Sequence, residues 1–99
     1  MNYEFHPEAE YELYEAALHY ESKVPGLGHR FADEIDRAIQ LLLDNPELGS
    51  RLDGELRHFV LSRFPFSVVY AVTSDFVYIV AVAHGYREPG YWKLRVHPA

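Results

Sequence analysis

A chain of 99 residues with 48% hydrophobic side chains fits one domain able to bury a core without a metal or a disulfide. The lack of cysteine excludes a disulfide framework, a thiolate zinc site and a cysteine nucleophile. The formal charge of −6 hides an asymmetry: residues 1–50 carry eleven acids against three bases, and residues 51–99 six bases against four acids. An acidic partner is therefore expected at the back half.

The N-terminal Met1-Asn2-Tyr3-Glu4-Phe5 has neither the basic patch nor the apolar stretch of a secretory signal. No apolar run nears the roughly 18 residues of a membrane span. A cytoplasmic protein with no membrane contact is the expectation. Residues 2–6 read as a short extended stretch. His6-Pro7-Glu8 opens a helix, because proline is tolerated at the first helical position and acids suit the first turn. Leu13, Ala16, Ala17, Tyr20 and Val24 recur at helical spacing, while Glu8, Glu12 and Glu15 read as a solvated flank. Pro25-Gly26 ends that helix. Phe31, Ile35, Ala38, Ile39 and Leu42 stripe a second one, which Asn45-Pro46 stops. So short a break predicts antiparallel packing, a helical hairpin. Residues 47–54 read as a polar surface loop.

Beyond that loop the period changes. Leu56–Ser62, Phe66–Thr73 and Phe76–Ala83 are runs rich in β-branched and aromatic residues. A two-residue turn at Ser74-Asp75 pairs Val72 with Val77, Tyr70 with Ile79, Val68 with Ala81 and Phe66 with Ala83. That register leaves Val80, Val82 and His84 on the opposite face. Both faces are apolar, so this hairpin should be central and covered by the helices on at least one side. The order is βααβββ, an α+β domain spanning residues 1–99.

The densest polar and aromatic cluster is His84-Gly85-Tyr86-Arg87-Glu88-Pro89-Gly90-Tyr91-Trp92, directly after the last strand. It joins an acid–base group, a fixed positive charge and aromatic planes able to stack on bases or on a partner. Arg57 and Arg63 would extend Arg87 into one positive surface if the strand order brings them together. Each residue also has a structural alternative. His84 can cap a turn, Arg87 can pair with an acid, and Trp92 can plug the core. Arg57 and Arg63 can be edge charges that block aggregation. The histidines at 6, 19, 29, 58, 84 and 97 show no short ligand spacing, and HExxH, phosphate-loop and GxGxxG patterns are absent. No metal and no cofactor are expected.

Four pieces in order resemble RelE/ParE-type toxins, also called plasmid-stabilisation toxins, of type II toxin–antitoxin pairs. They are the βααβββ order, the Asn45-Pro46-Glu47-Leu48-Gly49 helix exit, the Arg63-Phe64-Pro65-Phe66-Ser67-Val68-Val69-Tyr70 run, and Ala81-Val82-Ala83-His84 followed by Arg87, Pro89, Tyr91 and Trp92. The resemblance spans about Phe5 to Trp92. It implies a helical hairpin packed on a curved, mainly antiparallel sheet, growth inhibition, and a cognate antitoxin that wraps the toxin.

Two activities occur among such toxins, and fold alone does not separate them. RelE-like members cut messenger RNA in the ribosome without a metal, with basic strand residues, an arginine after the last strand and an aromatic or histidine acid–base group. ParE-like members poison DNA gyrase. On the nuclease pattern Arg87 would stabilise transition-state charge, and His84 or Tyr91 would move the proton. Arg57 and Arg63 would bind phosphate, and Tyr86 and Trp92 would contact the target. Ser67 stands where a basic residue is wanted, and His58 and Val60 stand near the positions of two lysines. The nuclease and the gyrase poison both remain open, beside a non-toxic member kept for binding or regulation.

Overall fold

The computed structural model describes residues 1–96. Strand β1 (Asn2–Phe5) leads into helices α1 (Pro7–Lys23) and α2 (Leu27–Asp44), followed by β2 (Ser50–Asp53), β3 (Leu56–Val60), β4 (Phe66–Val72), β5 (Phe76–His84) and a short α3 (Lys93–Val96). The sheet order is β1-β5-β4-β3-β2. Among the described residues only the β1–β5 pair is parallel. This is the expected α+β arrangement, with one strand more than the sequence suggests. Residues 50–53, expected within a loop, form an all-exposed edge strand. Ser-Arg-Leu-Asp carries no apolar alternation, because neither of its faces is buried. His97, with the last two residues of the chain, lies outside the described residues.

The helix boundaries follow from local chemistry. His6 caps α1, its Nδ1 accepting the Glu8 N–H at 3.0 Å, with Pro7 in the first turn. Gly26 turns the chain in the left-handed region (φ 87°), where glycine carries no steric penalty. It offers α2 no side-chain cap. Glu21 supplies one from α1, accepting N–H groups of Gly26 at 2.8 Å and Gly28 at 3.0 Å. Those bonds hold its carboxyl below the usual range.

Two apolar layers flank the sheet. On the helix side, Phe31, Ile35, Ile39 and Leu42 pack on Phe66, Val68, Tyr70, Val77, Ile79 and Val82. On the other side, Trp92 packs with Leu56, Val69, Val80, Ala81 and Ala83. The turn register holds through Val72↔Val77 and Tyr70↔Ile79, and then slips: Val69 pairs with Ala81, Val68 with Val82 and Phe66 with His84. Val80 is the extra residue of a β-bulge. The expected partners Ala81 for Val68 and Ala83 for Phe66 are therefore each off by one. The bulge turns Val82 and His84 towards the helices and leaves Ala81 and Ala83 on the Trp92 side.

Candidate functional site

The site grows out of that bulge. β1 ends at Phe5, opposite Ile79, so the outer edge of β5 loses its strand partner beyond that point. An unpaired, partly buried sheet edge needs donors and acceptors from elsewhere. Glu12 on α1 and Arg95 on α3 provide them. The Val82 N–H donates to Glu12 Oε1 at 3.0 Å, and the Val80 carbonyl accepts from Arg95 Nη1 at 3.0 Å. The two side chains also pair with each other in a fork, at 2.9 Å for both contacts.

Tyr91 and Arg87 complete the cluster. The Tyr91 hydroxyl donates to Glu12 Oε2 at 2.7 Å. Arg87 places its guanidinium carbon 3.8 Å above the Tyr91 ring, and its Nη1 stands 3.8 Å from Glu12 Oε2. Burial, then the hydrogen bond and charge of Glu12, push the Tyr91 phenol well above its usual range. The same carboxylate raises the already high pKa of Arg95. Tyr91 is thus a fixed proton donor to Glu12. An open groove of about 620 Å³ lies over these groups, its lining including Glu8, Glu15, His19, Phe66 and His84.

His84 enters this groove because of the bulge. Its ring meets Phe66 edge-on at 5.0 Å, and its Nδ1 accepts the Tyr86 N–H at 3.0 Å, which assigns the ring proton of the neutral form to Nε2. Tyr86 itself is 95% exposed. The structure therefore brings His84, Arg87 and Tyr91 together, with Tyr86 at the rim.

The other expected contact residues lie apart. Arg57 sits opposite Tyr70 on the helix side of the sheet and binds the Glu47 and Gly49 carbonyls at 3.3 and 2.8 Å. Arg63 borders a second groove, with Arg30, Glu34 and Arg37 of α2. Trp92 is buried in the second apolar layer and offers no stacking face. No common positive surface joins Arg57, Arg63 and Arg87. Ser67 and His58 lie on the Trp92 side of the sheet, paired through Ala83 and Val69, whereas His84 faces the helices. Among the described residues, no group of three or more His, Cys, Asp or Glu is placed to hold a metal ion. No helix there is long and apolar enough to cross a membrane.

Two central residues, Glu12 and Arg95, escape the sequence reading. Glu12 reads as one more solvated glutamate. The available signal is its row: Ala9, Glu12 and Ala16 follow one another at i, i+3 and i+7, two small residues flanking one acid. Such a row lets another backbone come close, and Ala9 is fully buried.

A helical hairpin laid over a mainly antiparallel sheet, with its C-terminal segment clamped beside the last strand, defines a small α+β domain. The family model for "ParE toxin of type II toxin-antitoxin system, parDE" matches residues 3–97, and the chain belongs to that family. A solved chain described as "Chromosomal ParDE TA system from P. aeruginosa" matches with a TM-score of 0.74 and 20% identity, over 85% of this chain and 95% of that one. That likeness is one of fold. No curated protein sequence matches the chain.

Proposed function

We propose that the chain is the toxin of a type II pair, neutralised by a cognate antitoxin, and that it acts by binding a protein target, DNA gyrase, not by cutting RNA. The observation that carries this reading is the position of Glu12. A metal-independent nuclease needs positive charge converging on the phosphate as it becomes pentavalent. Here the convergence point already holds a carboxylate, which takes both prongs of Arg95 and the Tyr91 hydroxyl and lies 3.8 Å from Arg87. A phosphate entering the groove would meet Glu12 there, and Glu8 and Glu15 at its wall.

The contact surface on this reading is the tip after β5, where Tyr86 and the half-exposed Arg87 stand on a turn held by His84. An exposed aromatic beside an exposed arginine is a usual composition for a protein hot spot. Expression without the antitoxin should arrest growth with DNA-damage induction and stabilised gyrase–DNA breaks, while translated messages stay intact in primer extension. Message cleavage that disappears in Arg87→Ala would reverse the reading in favour of the ribosome.

A further inference from the structure

The outer face of α1 lies beside the groove and outside the Glu12–Arg95–Tyr91 cluster. Tyr11, Tyr14 and Leu18 are 60%, 59% and 69% exposed there, although all three are large and mainly apolar. Their spacing of i, i+3 and i+7 is that of successive a, d and a positions of a heptad, so they form one seam along the helix. In the same register Glu8 and Glu15 occupy e positions and Glu10 a g position, giving the seam an acidic border on both sides. The lone lysine of the helix, Lys23, lies at its far end. The open groove runs along the Glu8 and Glu15 border, and Tyr11 belongs to its lining.

We propose that this face is a docking site for a basic amphipathic helix of a partner protein, with apolar residues laid along the Tyr11–Tyr14–Leu18 seam and lysines or arginines against Glu8, Glu10 and Glu15. Charge selects the occupant. A second copy of the chain would set three carboxylates against three, a like-charge arrangement that works against self-pairing. A basic helix reverses the sign of each of those contacts. Its longer side chains have room in the adjoining groove, where a guanidinium can reach Glu8 or Glu15 and lie on the Tyr11 ring. The inference rests on the α1 surface and holds whether or not the chain is toxic.

The test uses the full chain and two synthetic helical peptides of about three heptads, with leucine at a and d in both. One carries lysine at e and g, the other glutamate. The lysine peptide should bind, the glutamate peptide should not, and the affinity should fall steeply with salt. Leu18→Glu and Tyr14→Glu should each weaken binding about tenfold or more while leaving the melting temperature in place, since both positions are exposed. Glu10→Lys with Glu15→Lys should exchange the preference between the two peptides. Equal binding of both peptides, no binding of the lysine peptide, or an affinity untouched by Leu18→Glu overturns the proposal. So does a dimer of the chain, seen by sedimentation, that dissociates in Leu18→Glu, because the seam would then belong to a second copy.

Discussion

The Glu12 carboxylate and the Arg95 guanidinium, 83 residues apart in the chain, meet prong to prong with both contacts at 2.9 Å. Their side chains are 12% and 13% exposed. The pair does more than neutralise itself. Through the Val82 N–H and the Val80 carbonyl it completes the edge of β5 past the end of β1, and through Tyr91 it ties down the segment after the last strand. One acid on α1 thus connects helix, sheet edge and C-terminal segment.

Removing one partner should be costly. Glu12→Ala leaves a nearly buried guanidinium uncompensated and the Val82 N–H without its acceptor, an expected loss of about 3–5 kcal/mol. For a chain of this length that lowers Tm by about 15–25 °C. Glu12→Leu combined with Arg95→Met should regain only part of the loss, because neither charge then has to be desolvated while the Val82 N–H, the Val80 carbonyl and the Tyr91 hydroxyl stay unpaired. Thermal unfolding followed by circular dichroism checks both. An Arg95→Met single variant as stable as the parent would show that the pair contributes nothing.

Tyr91 makes a pH prediction. Burial first, and Glu12 second, raise its phenol above the ordinary value of 10.0. The folded chain therefore keeps a proton that the unfolded chain releases, so this contribution is full below about pH 10 and is lost as pH climbs through the folded value. Urea midpoints should fall on the alkaline side, and Tyr91→Phe should flatten that fall. Some slope should persist, since burial also raises Tyr70. An identical alkaline slope in Tyr91→Phe would remove Tyr91 as its source.

Much of the fold was legible because period and punctuation agree. The Phe31-to-Leu42 stripe, Pro25-Gly26 and Asn45-Pro46 mark α2 and its ends, and the turn at Ser74-Asp75 sets the first half of the β4–β5 register. The bulge at Val80 was not legible. It carries no glycine or proline, and Ile79-Val80-Ala81-Val82-Ala83 is apolar at every position, so a one-residue slip leaves no trace in the pattern. His84 was read onto the wrong face for that reason alone. Of the candidate site, the cluster His84, Arg87 and Tyr91 was visible as a run of residue types. Its centre was not, since nothing local to Glu12 distinguishes a carboxylate facing solvent from one facing an arginine far along the chain.

Gly49 and Tyr70 show a second long-range tie. The Tyr70 hydroxyl accepts the Gly49 N–H at 2.9 Å and donates to the Pro46 carbonyl at 2.8 Å, fixing the helix exit against the sheet. A Cβ at Gly49 would stand 2.6 Å from that hydroxyl and 2.7 Å from the His58 carbonyl. Gly49→Ala should therefore destabilise by about 1–3 kcal/mol through overpacking. Tyr70→Phe should lose about 1–3 kcal/mol by leaving the Gly49 N–H and Pro46 carbonyl unpaired. Chemical denaturation measures each. Near-parent stability of Gly49→Ala would mean that the loop shifts freely, against the role assigned to Tyr70.

Stability and function should separate at the tip after β5. Tyr86 is almost fully exposed, and among the described residues the guanidinium of Arg87 has only the 3.8 Å approach to Glu12 and the Tyr91 ring to hold it. Tyr86→Ala and Arg87→Ala should each change stability by no more than about 0.5–1 kcal/mol. Trp92→Ala, by contrast, empties the second apolar layer and should lose about 3–5 kcal/mol. If the tip carries the contact with the target, growth inhibition should fall sharply in the two tip variants at unchanged Tm and unchanged expression. In Trp92→Ala it should fall only as the folded fraction falls. Toxicity that survives in both Tyr86→Ala and Arg87→Ala would move the contact surface elsewhere, while leaving the Glu12 clamp and the fold it completes untouched.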